Sequence, residues 1–272
     1  MNTTSKAWLQ IHLCVVLWSI TAILGKLISL DALPLVLWRM SMVALVLLML
    51  PTVRQVLTKI DLKLIFVYTG IGVLVCLHWL TFYGAIKLSN ASVAVSCIAT
   101  VPVFLSILEP VLAGRRFRLR ELIFGLLVIP GIVLIVGGTP TEMNAGIVMG
   151  LVSALFVALF AALNKRYVLN ADALTVTAIE MAAGALFLVL IGTIYSSTDF
   201  LPPITGVVTQ AADIFVIPNP RDLLWLLILA SACTLFPFVL SLYALRYISA
   251  YGSALVINLE PLYAITLAAL LL

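Results

Sequence analysis

Charge is scarce in this sequence. Its 272 residues include 15 Lys or Arg, 11 Asp or Glu and two His, so 10% of positions carry charge. An average soluble domain has about 25%. So few polar groups cannot cover a surface facing water, which excludes a soluble enzyme, a nucleic-acid-binding module and a disordered chain. There is no GxxxxGK[ST] phosphate loop, and the lone LGK at 24–26 lacks the upstream Gly, which argues against an ATP-driven pump. No His, Cys, Asp or Glu cluster has metal-ligand spacing, and no cofactor is expected. The four cysteines, Cys14, Cys76, Cys97 and Cys233, lie singly inside apolar runs and read as small packing residues. The start, MNTTSKAWLQIHL, has one Lys and no small-residue cleavage site after its apolar run. It reads as a retained first helix, not a removed signal peptide.

What the chain does have is hydrocarbon: 64% hydrophobic residues and a mean hydropathy of +1.26. A spanning helix needs about 20 residues to cross about 30 Å of lipid, so this length allows roughly nine or ten. The apolar runs predict nine, at 8–28, 33–51, 63–87, 91–113, 120–137, 145–168, 173–195, 222–245 and 249–272. The alternation expected of barrel strands is absent, so the fold class is an all-α integral membrane protein.

Basic residues set the orientation. With the N-terminus in the cytoplasm, eleven of the 15 Lys and Arg fall on the inner side and two, Lys87 and Arg221, on the outer side. The remaining two, Lys26 and Arg39, lie within helices. The strongest anchor is GRRFRLRE at 114–121. Segments 52–62, 114–120 and 164–171 are therefore expected inside, and 138–144 and 196–220 outside.

The sequence also repeats. DALPLVLWRMSMVALVLLML (31–50) aligns without gaps to DALTVTAIEMAAGALFLVLI (172–191), with seven identities in 20 positions. LGK (24–26) parallels LNK (163–165), FYGAIKLSNAS (82–92) parallels LYALRYISAYG (242–252), and Pro102 parallels Pro261. The unit is five helices, an odd number, so the second copy is reversed across the membrane: two inverted five-helix repeats, 1–140 and 141–272, as in many secondary transporters. The second unit has four visible helices. Either a tenth helix lies beyond Leu272 or nine suffice.

On these features the chain resembles the EamA-type family of the drug/metabolite transporter superfamily. WSITAILGK (18–26), Arg39 early in the second helix, and YGAIKLSNASVA (83–94) before Pro102 carry the resemblance, with a second copy, YALRYISAYGSA (243–254), before Pro261. Three departures stand out: Gly114-Arg115 where the family usually has Gly-Glu, the missing tenth helix, and a long loop from Ser196 to Arg221. The resemblance implies export of amino acids or related small metabolites across the cytoplasmic (inner) membrane, without enzymatic activity.

Ionisable groups inside spans are the best pointers to a site, because each costs roughly 2.5–3.5 kcal/mol at the centre of a helix on insertion scales. Lys26 lies near the outer end of its helix and either snorkels or faces a cavity. Glu109 is within reach of the basic loop and reads as a structural ion pair with Arg115 or Arg116. Arg39 and Glu180 occupy equivalent repeat positions with opposite charge; each is either a gate, a substrate contact or half of a buried pair. Glu260, mid-span beside Pro261 and near Asn258, has the best claim to line the pathway. Trp18, Trp79, Tyr83 and Tyr243 lie deep in spans, where Trp and Tyr are less usual than at interfaces, with His78 beside Trp79. They read either as helix packing or as an amphipathic wall. The candidate substrate-binding set is thus Trp18, Arg39, His78, Trp79, Tyr83, Glu180, Tyr243, Asn258 and Glu260. Arg39 suits a carboxylate, and Glu260 or Glu180 an ammonium. A cationic-drug exporter is the nearest rival; an intramembrane enzyme, with Ser96 and His78 as partners, has no supporting motif. The partners expected are a small-molecule substrate and membrane lipid but no nucleic acid, with proton or ion coupling and a homodimer left open.

Orientation is directly testable. A cysteine placed at Arg118 should react with an impermeant thiol reagent only after the cells are opened; labelling in intact cells would reverse the topology.

Overall fold

A computed structural model describes residues 2–197, 207–208 and 214–263, with Ile135 and Val136 described by backbone only. The described chain is helical, and seven helical stretches are long and apolar enough to cross a membrane: Thr3–Leu27, Ala32–Met49, Leu62–Leu88, Ala91–Ala113, Thr141–Tyr167, Ala173–Ser196 and Pro220–Leu245. These match seven of the expected spans. The fifth expected helix, 120–137, is split into two short helices, and the ninth, 249–272, is described only as far as Tyr263. The outer loop expected at 196–220 lies mostly outside the described residues.

Several of these stretches are broken. The first divides into α1 (Thr3–Trp18) and α2 (Thr21–Leu27). The next are α3 (Ala32–Met49), a short α4 (Pro51–Leu57) begun by Pro51 within the expected inner loop, and α5 (Leu62–Leu88). The fourth divides into α6 (Ala91–Ile98) and α7 (Val101–Ala113) next to Pro102, and the fifth into α8 (Leu119–Leu126) and α9 (Ile129–Val136) next to Pro130. A proline has no N–H for the carbonyl four residues back, and its ring crowds that carbonyl. Then follow α10 (Asn144–Tyr167) and α11 (Ala173–Ser196). The eighth stretch is α12 (Pro220–Ala230), a π-helical turn (Ser231–Leu235) and α13 (Phe236–Leu245); α14 is Ala250–Ile257.

The helix starts follow local chemistry. Asn2, Asp61, Asn90, Asp172, Asn219 and Ser249 each precede a helix and accept a backbone N–H from its first turn. Gly114, at φ +70°, closes α7 in the left-handed conformation that glycine adopts without a Cβ penalty.

Packing comes in matched pairs with the two halves exchanged. α5 lies against α10 as α13 lies against α1; α7 lies against α10 as α14 lies against α1; α11 lies against α5 as α3 lies against α12. α3 and α11, which carry the aligned Asp-Ala-Leu segments, lie against each other. Glu109, at 1% exposure, ties the halves together. Its carboxylate accepts from the backbone N–H groups of Ala250 (3.1 Å) and Tyr251 (2.8 Å) at the start of α14, and it pairs with Arg115 at 3.2 Å. The expected ion pair is thus present, and the same carboxylate also caps a helix of the other half, where the dipole favours negative charge.

Close approach depends on glycine at two positions on this framework. A Cβ on Gly72 of α5 would collide with the backbone of Glu180 on α11, and one on Gly25 of α2 would collide with the Tyr83 ring. Gly70, one turn-fraction away, has nothing within 4 Å. Gly72→Val should therefore cost about 1–3 kcal/mol or more through overpacking. Gly70→Ala should melt with the parent. Thermal melting in detergent micelles checks both, and equal melting of all three proteins would contradict the backbone-to-backbone contact.

Candidate functional site

The helix breaks surround one internal space. Trp18 and Thr21 reach it from the α1/α2 break, Arg39 from α3, and His78, Trp79 and Phe82 from α5. Phe160 and Asn164 come from α10, Phe238 and Ser241 from α13, and Ile257 and Glu260 from the end of α14 and just beyond. The cavity has about 120 Å³ for the centres of water-sized spheres, against roughly 10–15 Å³ for one water. Its wall is mostly aromatic and aliphatic with a few converging polar groups, the usual make-up of a small-molecule site.

Arg39 is the best-anchored of those polar groups. At 2% exposure it is buried, yet no carboxylate lies within ion-pair distance among the described residues. Neutral partners hold it instead. Nε donates to Thr234 Oγ1 at 2.6 Å, Nη1 to the Tyr83 hydroxyl at 2.9 Å, and Nη2 to the Cys233 carbonyl at 3.3 Å. The guanidinium carbon sits 3.8 Å from the centre of the Trp79 ring, a cation–π contact. The local sequence explains these acceptors. Pro237 cannot donate to the carbonyl four residues back, Cys233, which is thereby free for Arg39. The π-helical turn ahead of Pro237 presents Thr234, whose hydroxyl also donates to the Leu229 carbonyl at 2.5 Å. Three N–H groups of Arg39 are used in this way, and the others have no partner among the described residues.

Glu260 faces the same cavity at 7% exposure, and forms no ion pair or hydrogen bond with a described residue. One wall thus carries a held cation and another an unengaged carboxylate, separated by more than ion-pair distance.

A sequence model described as the EamA-like transporter family matches residues 5–137 and, a second time, residues 144–272. The chain belongs to the EamA-like transporter family. It is therefore a multi-pass membrane transporter of the drug/metabolite type, as the resemblance of its motifs implies. A solved crystal structure named only "Crystal structure of protein" has the same fold, with a TM-score of 0.71 at 17% identity over 98% of this chain and 88% of that one. No curated protein matches.

In this EamA-like chain, five of the nine candidate residues line the cavity: Trp18, Arg39, His78, Trp79 and Glu260. The other four lie elsewhere. Tyr83 sits behind Arg39 as its hydrogen-bond partner. Asn258 lies in the break after α14, where its amide donates to the Ala99 carbonyl at 3.1 Å. That carbonyl is free because the Val103 N–H bonds Thr100 instead, so Asn258 joins the two helix breaks. Tyr243 is 37% exposed and lies near Arg246, away from the cavity. Glu180 is fully buried on α11 and touches the cavity only through Asn164, whose amide lies 3.5 Å from its carboxylate. His78 is held by Ser153, Nδ1 to Oγ 2.7 Å. Lys26 is exposed and lines no part of the cavity. Sequence reasoning missed Asn164, Phe160, Phe238 and Thr234. The polar Asn164 in an apolar run, and Pro237 beside the Arg39 acceptors, were the available signals.

Among the described residues, the Thr234 hydroxyl is the one side-chain acceptor of Arg39 Nε. Thr234→Val keeps the shape and leaves a charged donor unpaired, which should cost about 1–3 kcal/mol; Thr234→Ser should restore most of it. Melting in detergent measures this, and an unchanged Thr234→Val would mean that the bond holds nothing in place.

Proposed function

We propose that this transporter moves amino acids or closely related zwitterionic metabolites out of the cell across the cytoplasmic membrane. The carrying observation is that Arg39 and Glu260 face one cavity without pairing with each other. A zwitterion brings the two missing partners at once. Its carboxylate meets the free N–H groups of Arg39, and its ammonium meets Glu260. Phe160, Phe238 and Trp79 then enclose an apolar side chain.

Alternating access supplies the movement. The paired contacts between halves, the two matches to one family model and the aligned Asp-Ala-Leu helices support an inverted pair of repeats rocking about this cavity. The same reading has nine visible crossings, with the broken α8–α9 pair and α14 among them and the N-terminus in the cytoplasm. Its support is the basic inner loops.

The test is transport of radiolabelled amino acids in proteoliposomes. Arg39→Lys keeps the charge but loses the planar fork. The loss of one charge-assisted hydrogen bond, about 1.5–3 kcal/mol, should weaken carboxylate substrates roughly tenfold or more. Glu260→Gln should keep folding and strongly reduce the same transport. If both variants move amino acids like the parent, the zwitterion reading fails. If the parent moves apolar cations in preference to amino acids and Arg39→Lys leaves that activity unchanged, the cationic-drug reading takes its place.

A further inference from the structure

A polar pair runs inward from the cavity wall: Asn164 lines the cavity, and Glu180 lies behind it. Glu180 on α11 is at 0% exposure and Asn164 on α10 at 2%. They meet through one long contact, Asn164 Nδ2 to Glu180 Oε2 at 3.5 Å. The second carboxylate oxygen, Glu180 Oε1, and the amide oxygen, Asn164 Oδ1, are both buried without a hydrogen-bond partner. Oxygen acceptors are thus in excess here and donors are short. Burying a carboxylate in this state is costly unless something positive joins it.

The surrounding groups do not supply that charge. On α5, Tyr68 donates its hydroxyl to the Tyr167 carbonyl, and His78 is engaged with Ser153. On α3, Arg39 is bound to Thr234, Tyr83 and Cys233. Arg54 on α4 donates to the Met49 carbonyl and Lys165 on α10 to the Leu245 carbonyl; Arg246, just past α13, donates Nη2 to the Ala171 carbonyl and keeps a buried, unpartnered Nε, but stands beyond ion-pair distance of Glu180. Asp172 caps the start of α11. Among the described residues, no basic group reaches Glu180 within ion-pair distance.

We propose that Glu180 and Asn164 form a proton-binding site, separate from the Arg39 and Glu260 contacts, through which transport is coupled to protons. This rests on the transporter reading above. A proton from cavity water adds to the Glu180 carboxylate and gives a neutral carboxylic acid; no other bond changes. The new O–H needs an acceptor, and the Asn164 carbonyl is the unpartnered one beside it. An amide can turn, since its N–H₂ donates to the carboxylate and its carbonyl accepts from the acid. Asn164 also lines the cavity. Each protonation therefore changes which end of the amide faces the substrate, and that links proton to cargo. A metal cation fits less well, because hard cations take about six or more oxygens. The pair offers two unpartnered oxygens, and no group of three or more His, Cys, Asp or Glu residues suited to a metal occurs among the described residues.

Two measurements test this. In proteoliposomes, a radiolabelled amino acid exchanged by the parent is followed with and without a pH gradient. Glu180→Gln, a neutral isostere of the acid, should keep exchange at the parent level and lose all acceleration by the gradient. Acceleration that survives, exchange lost along with it, or a parent driven by sodium instead of protons would each overturn the proposal. The second readout needs no substrate. Infrared difference spectra between acid and alkaline buffer should show in the parent a buried carboxylic C=O band that Glu260→Gln keeps and Glu180→Gln loses. An unchanged spectrum in Glu180→Gln overturns the proposal even if amino acids prove to be the wrong cargo. If Glu180→Gln does not fold, Asn164→Leu carries the test. It removes the acceptor, so the band must shift, and a fixed band position counts against the site.

Discussion

A buried guanidinium without a carboxylate constrains everything around it. Arg39 has to be solvated by neutral groups, and those groups come from both halves of the chain: Trp79 and Tyr83 on α5, Thr234 and the Cys233 carbonyl on the π-helical turn. The break before Pro237, unfavourable for a plain α-helix, presents the acceptors this cation needs. π-turns inside helices are frequent at functional sites, and this one shapes a wall of the cavity. A neutral cradle leaves the positive charge uncancelled, available to an anion that arrives and leaves. A permanent Arg–Glu pair in the same place would be self-satisfied and would bind a carboxylate poorly.

The two acids of the interior occupy different settings. Glu260 stands in the cavity wall without a partner, whereas Glu180 lies behind the wall and reaches the space only by way of Asn164. Glu109 has a third setting, in which the carboxylate is fully engaged by two backbone N–H groups and an arginine. The same residue type is a cap, a wall group and a hidden acid according to what surrounds it. Engagement, not burial, separates them, since all three are below a tenth exposed.

Depth along a helix was legible in the sequence, but rotation about it was not. The apolar runs placed seven spans where the structure has them, and the distance from Glu109 to the basic loop foretold its pairing with Arg115. Arg39 and Glu260 could be singled out because charge in lipid is conspicuous. Tyr243 shows the limit. Its depth is right for a cavity, but it turns away, because a helix bathed in hydrocarbon is apolar on every side and carries no stripe to show its inner face. The break between Trp18 and Thr21 was also hidden, since neither proline nor glycine lies at Ser19 or Ile20 to mark it. The meeting of Asn164 with Glu180 depends on how α10 and α11 pack, and no spacing in the chain encodes that.

The link from Asn258 to the Ala99 carbonyl has a consequence for the electric field of the site. It joins two interrupted helices at one level, where Ile98, Val101 and Ile257 border the cavity. At each interruption one half-helix ends in carbonyls and the chain beyond it starts again with amides. Each such end carries a partial charge of about half a unit when its helix is long enough, and less in short ones. These charges belong to the backbone and do not titrate. The polarity that these ends lend to the border of the cavity is therefore the same at any pH, whatever charge the side-chain acids carry.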